Sequence, residues 1–483
     1  MDISSIYKTL SYKEKSILLS YYFDKGKQSK RLQFLKALEQ EENISDNTLS
    51  EIVYGRTDVT PKFSQLKARV FRDILNIIQI SYVNDGSASR STLIRYSLRQ
   101  YINDSELLMS RGLDELGIEM LEKAFRYSSR YQCHIESMII ADLLQQYKGL
   151  RNDSKSYRKY FESKLLALKT CEKRFKASEI FMQITRPSFF TLETIDYNEL
   201  LRNLINLDSG TQSDDIRGMT LRAEAFIRMK GGEYKRAYDS ASEYLLLVTT
   251  SNVLKSLNNI GGANMQISII EIERENYSRS IDHATVALNH FKKDSANELR
   301  ALEVRFISSL RLKHYGSCTT DVSYALKSKA IRTSVIMQTT WDFRKALLSF
   351  LMDDYESAQK VLVSDNENRL KGTHWRYYYR VLDICNLYAM KKYDIVEYRL
   401  DAFAKLMSHD KIVSDSRLYI FWNVMKKFTR LSLGIRANKR EQVQILKSEC
   451  KAKFVESRIK IDNSLEIIPI DDLIYHALGK LNF

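Results

Sequence analysis

The sequence predicts an all-α protein, a solenoid of antiparallel helical hairpins preceded by a small N-terminal helical bundle. Three observations predict it. Punctuation is scarce, with only Pro61, Pro187, Pro469 and 16 glycines in 483 residues, and a sheet-rich chain of that length needs many more turn residues. Apolar residues recur three and four apart, as in Val335, Met337, Trp341, Phe343, Ala346, Leu347, Phe350 and Leu351, which sets one buried stripe on a helix. A tyrosine also recurs just after a polar or glycine break, at Tyr157, Tyr197, Tyr234, Tyr277, Tyr315, Tyr355 and Tyr393, with separations of 40, 37, 43, 38, 40 and 38 residues. Each unit of about 40 residues therefore reads as a helix, a short turn and a second helix opening near the tyrosine.

Residues 1–86 lack this period and form the first domain. Helices are expected at about 11–24, 28–41, 46–54 and 61–82. Thr60 caps the last and Pro61 suits its first turn. Phe63, Leu66, Val70, Ile74, Ile77 and Ile78 make its apolar stripe, with Lys62, Gln65, Arg69, Arg72 and Asn76 on the other side. With Gly55 in the preceding turn, this layout describes a helix-turn-helix. Lys62, Arg69 and Arg72 would then neutralise phosphates and Gln65 would read a base edge. The same polar face equally describes the solvated side of a capping bundle. Asn84 to Ser89 mark a boundary, and the repeats occupy 87–460.

Within the repeats, residues 114–130 (DELGIEMLEKAFRYSSR) form a second helix, and residues 417–436 and 438–454 form a late hairpin. Residues 461–483 are expected to loop through Pro469 and end in a short helix that caps the last apolar edge, since a terminal repeat lacks a neighbour.

Three residues after the tyrosine stand Ala237, Ser280, Cys318 and Ala358, small enough to let helices approach closely. The pattern resembles tetratricopeptide repeats. The best unit carries Ala225, Tyr234 and Ala237; the next carries Ser268, Tyr277, Ser280, Ala284 and Ala287; a third carries Ala346, Tyr355 and Ala358. Phe306 and Ile384 stand where the family has a small residue, the closing proline is missing, and the unit exceeds 34 residues. The resemblance implies a right-handed superhelix whose first helices line a concave face. It makes Arg228, Asn264, Arg305, Arg344 and Arg376 candidates for peptide binding.

Lys and Arg number 75 against 60 Asp and Glu, a net charge of +15. The excess is diffuse: residues 1–84 hold 13 basic and 10 acidic side chains, residues 154–177 hold eight and two, and residues 436–460 hold eight and three. Contact with acidic partners or nucleic acid is compatible with this balance, as is a solubilising surface. The cysteines at 133, 171, 318, 385 and 450 are odd in number and far apart, which argues against a disulfide framework and for a reducing compartment. No secretory pattern opens the chain and no apolar run nears the ~20 residues that span a bilayer, so a cytoplasmic location is expected.

Chemistry is not written in the sequence. No phosphate-binding glycine motif occurs, His283 and His290 are seven apart rather than three or four, and Cys133 and His134 diverge on a helix. The pairs Asp214-Asp215, Asp353-Asp354 and Asp471-Asp472 suit helix N-termini. No catalytic residue, metal site or cofactor is assigned. Trp375, Tyr378 and Tyr379, flanked by Arg376 and Arg380, could line a groove with the arginines clamping a carboxylate, or fill space between helices. The expected function is a non-enzymatic scaffold that binds a protein or peptide. The alternative is a ligand-responsive transcription regulator, resembling bacterial peptide sensors that join a helix-turn-helix to such repeats, although residues 1–84 carry no signature of that family.

Overall fold

The computed structural model describes residues 3–23, 29–40, 44–84, 90–186, 196–363, 375–412, 416–434, 439–457 and 467–479. Among them the fold is all-α, with 24 helices and no strand. Two compact units form. One comprises residues up to Phe175 with Asn252–Lys255, and the other Lys176–Ser251 with the chain from Ser256 onward. The first unit contains α1 (Ile3–Thr9), α2 (Tyr12–Phe23), α3 (Lys30–Gln40), α4 (Asp46–Tyr54), α5 (Pro61–Asn84), α6 (Arg90–Ser110), α7 (Asp114–Arg130), α8 (His134–Leu150) and most of α9 (Ser154–Thr185). The second holds α10 (Tyr197–Ser209), α11 (Asp214–Lys230), α12 (Tyr234–Thr250), α13 (Leu257–Glu273), α14 (Tyr277–His290), α15 (Ala296–Arg311), α16 (Tyr315–Lys327) and the short α17 (Lys329–Arg332). It continues with α18 (Val335–Leu351), α19 (Tyr355–Leu362), α20 (Trp375–Ala389), α21 (Tyr393–His409), α22 (Arg417–Leu433), α23 (Lys439–Ser457) and α24 (Ile470–Leu478).

Neighbouring helices in sequence pack as neighbours in space, and one turn makes most of the hairpins. Three residues separate α6 from α7, α7 from α8, α8 from α9, α11 from α12, α13 from α14, α15 from α16, α18 from α19, and α20 from α21. In each turn the middle residue is left-handed: Gly112, Gln132, Asn152, Gly232, Glu275, Lys313, Asp353 and Lys391 have φ between 50° and 76°. The next N–H donates back to a carbonyl five residues earlier at 2.8–3.0 Å, as in Glu233 to Arg228 and His314 to Ser309. This closes orphan carbonyls at the helix end while the chain reverses. Five of the seven tyrosines, 234, 277, 315, 355 and 393, are the first helical residue after such a turn. Tyr197 also opens a helix. Tyr157 does not, for it lies three residues further along, inside α9.

Five residues past the left-handed position comes the close contact. Gly117, Ser137, Ala237, Ser280, Cys318 and Ala358 are all buried there. At α13, α14 and α15 the contact is polar: Ser280 Oγ lies 2.9 Å from Ser268 Oγ and 2.7 Å from Ser308 Oγ, and Ser268 Oγ donates to the Ser280 carbonyl at 2.7 Å. Side chains this short let the backbones approach while every hydroxyl finds a partner.

The N-terminal helices enclose their own core of Tyr7, Leu18, Phe34, Phe63, Val70 and Ile74. Helix α1 was not among the expected elements; the other four stand close to their expected bounds. Thr60 caps α5, its Oγ1 accepting from Phe63 N at 3.3 Å. At the other end α24 buries Ile470, Leu473, Ile474, Ala477 and Leu478. It packs on α20 as well as α22 and α23. His476 Nε2 reaches the Phe350 carbonyl at 2.9 Å, and Arg417 pairs with Asp471 at 3.2 Å.

Candidate functional site

The candidate peptide-contacting side chains turn out to be tied into the fold. Arg228, near the end of α11, pairs with Glu233 at 2.8 Å across the turn. Asn264 is buried, donating to the Ile260 carbonyl at 2.9 Å and meeting His283 Nδ1 at 2.9 Å. Burial pushes the His283 imidazole below its ordinary pKa, with the Glu271 charge opposing, so the ring serves the neutral state. Arg305 grips Asp321 with two donors, Nε at 3.2 Å and Nη2 at 2.5 Å. That carboxylate is buried, and desolvation raises its pKa against the pull of the arginine.

Arg344 is the most enclosed of these residues. It donates to the Thr340 carbonyl at 3.1 Å, ion-pairs with Glu303, and stands 4.8 Å from the ring of Trp341 and 5.5 Å from that of Trp375. The Trp375 ring meets Phe343 edge-on at 5.5 Å, and Tyr379 meets the Phe343 ring at 5.2 Å and donates to the Thr339 carbonyl at 3.3 Å. Tyr379 is buried, while Trp375, Arg376, Tyr378 and Arg380 are half-buried. Trp375 and Tyr379 thus fill the seam between α18 and α20, and Arg344, Glu303 and Asp321 lace neighbouring helices together.

The N-terminal candidates are placed differently. Lys62, Gln65, Arg69, Arg72 and Asn76 are all exposed, on the side of α5 away from Phe63, Val70 and Ile74. Gly55 is left-handed at the end of α4 with φ 70°. Lys67 is spent on Asp46, with Nζ at 2.6 Å from the carboxylate.

Helix α9 presents a face that the sequence reading left out. Its core side is Tyr160, Ala167 and Cys171. Beside it runs a second apolar row, Tyr157, Phe161, Leu165, Leu168 and Phe175, whose members are 39–57% exposed. The signal was present as spacings of four, four, three and seven, beside the eight basic residues already noted at 154–177. A contiguous exposed apolar row of this kind is a candidate interaction surface. No family model matches this chain, and no curated protein matches it.

Proposed function

We propose that this protein is a non-enzymatic scaffold that holds a protein partner on a stack of tetratricopeptide-like hairpins. The supporting observation is the row of five exposed apolar side chains on α9, since leaving Phe and Leu about half in water on an ordered helix gives up roughly half of the ~1.5–3 kcal/mol that full burial of each is worth. The arginines and the asparagine of the first helices serve this reading as the lacing that keeps the stack in register. A photo-crosslinking residue at Leu168 tests it in the cell that makes the protein, with Lys313 as control. A discrete adduct with one protein at Leu168 alone is the expected result, and no adduct, or equal adducts at both positions, would sink it.

A second reading, a transcription regulator that docks on DNA through α5, is favoured by the exposure of Lys62, Gln65, Arg69 and Arg72. Each phosphate contact would release counterions, so Arg69→Ala with Arg72→Ala should lower the log–log salt slope by ~2. Because residues 1–84 hold an excess of only three positive charges, weak binding or none is expected at ~50 mM salt. Tight, sequence-selective binding lost in that double variant would replace the scaffold reading.

A further inference from the structure

We infer that the α9 face takes an acidic amphipathic helix, supplied by a partner protein, in the channel bordering α8. The inference rests on the scaffold reading and names the chemistry of its partner.

The geometry starts from the α8–α9 turn. A Cβ on Gly149 would meet the Tyr157 ring at 3.2 Å, and Lys164 Nζ pairs with Asp142 at 2.8 Å. Both pairs are symmetric about Asp153, as two antiparallel helices joined by one tight turn require. Carried further, that register sets Ile139 of α8 opposite Ala167 and Leu168, and Ile135 opposite Cys171. Ile135 and Ile139 are exposed too. Two helices thus offer apolar residues to one channel. From Tyr157 to Phe175 it runs about 27 Å at 1.5 Å per residue, the length of an 18-residue helix.

Position around α9 decides between a helix and a flat surface. At 100° per residue, the exposed row lies about 60–140° round from Tyr160, interrupted by Glu172 at about 120°, while Arg158 and Lys169 lie at about 160–180°, on a crest they share with Glu162 at about 200°. A bilayer would meet the crest first and find cations there with the apolar row to one side. A helix lying in the channel meets the row with its apolar stripe, spaced three and four apart, and the basic crest with its flank. Arg158 and Lys169 are exposed and have no carboxylate partner among the described residues, whereas Lys164 is neutralised by Asp142. The flank that meets the crest is therefore acidic. Tyr157 shapes the end of this channel: five residues past the left-handed turn, where six of the other hairpins bury a small residue, α9 places a large ring beside Gly149.

The test uses the full chain and a displayed library of 18-residue helical peptides with apolar stripes and polar faces that are acidic, neutral or basic. Phe161→Ser with Leu168→Ser removes the row, and Arg158→Glu with Lys169→Glu inverts the crest. Acidic-faced peptides should be enriched. Their affinity should drop at least tenfold in the first variant, and the preference should reverse toward basic faces in the second. Melting temperatures should fall only slightly in both, because the altered side chains are about half exposed or more. A large fall in melting temperature would mean that the protein covers this face itself, and would overturn the inference. So would enrichment of basic faces, or binding to phosphatidylserine vesicles or mixed-sequence duplex DNA that disappears with the same variants. Peptides that bind both variants as tightly as the parent would leave a scaffold whose site is elsewhere. No enrichment of any peptide would remove the helix inference and leave the scaffold reading to the crosslink at Leu168.

Discussion

The hairpins of α6–α9 and those of α11–α16 share one turn but differ in what the following helix brings to its neighbours. Eight residues past the left-handed position, the first group has Met120, Ile140 and Tyr160, and the second has Ser240, His283 and Asp321. Ile140 is wholly buried and Tyr160 packs edge-on against Phe125 at 5.3 Å. His283 and Asp321 instead meet Asn264 and Arg305 on the preceding helix. The turn is thus a backbone device, indifferent to whether the contact beyond it is greasy or polar. A polar contact must be matched by its partner, which makes it selective for one register.

The largest effect that could break this comparison is a cavity. Phe350 is wholly buried against Tyr355 and His476, so Phe350→Ala should cost about 3–5 kcal/mol in denaturant unfolding. A cost below about 1 kcal/mol would show that the α24 cap does not seat there in solution. Overpacking comes next. Ala237→Leu and Ala358→Leu should each cost ~1–3 kcal/mol, and unchanged denaturation midpoints would mean the close contacts are misplaced. In the first unit the matching test is Gly117→Ala. Helix propensity alone would favour it by about 0.5–1 kcal/mol, but the new Cβ would stand 2.5 Å from Met109 Cγ and 3.1 Å from the Ser105 carbonyl oxygen, so the variant should lose stability.

Smaller effects sharpen the claim about the turn. Gly232→Ala should cost about 1–2 kcal/mol, and Lys391→Gly, relieving a left-handed lysine, should gain up to about 1 kcal/mol. A gain for Gly232→Ala together with a loss for Lys391→Gly in thermal melts would show that side chains rather than backbone set the turn. The smallest effect separates the units by pH. His283 is depressed below 6.5 by burial, with Glu271 and Asp282 raising it and Arg279 lowering it. The unfolded chain therefore binds the proton first, and this contribution is present above pH 6.5 and lost as pH falls toward the folded pKa. His283→Gln should flatten the midpoint's slope just below pH 6.5, while Ile140→Val should leave that slope unchanged.

How much of this could be read in advance depends on distance along the chain. The tyrosine series and the small residues after it revealed the hairpins, because both lie within one turn of helix from the reversal. Most of the left-handed residues stayed hidden, since Gln132, Glu275, Lys313 and Lys391 are not residue types that advertise positive φ. The partners of Asn264, Arg305 and Arg344 lie 19, 16 and 41 residues away, a helix or a hairpin distant, where pattern reading has no purchase. The α9 row was hidden because a helix with one good apolar stripe invites no search for a second. Tyr157 joined the tyrosine series by interval alone, and its register differs by three.

The uniform turn also says where this chain can change length. In the second unit five hairpins close through three residues with a fixed hydrogen bond, and one added residue would misplace the left-handed position and rotate the next helix by about 100°. Connections between hairpins carry no such constraint: five residues join α14 to α15, and six join α12 to α13. Insertions and grafted tags belong at that end of the hairpins, where a lineage can elaborate loops without disturbing the stack.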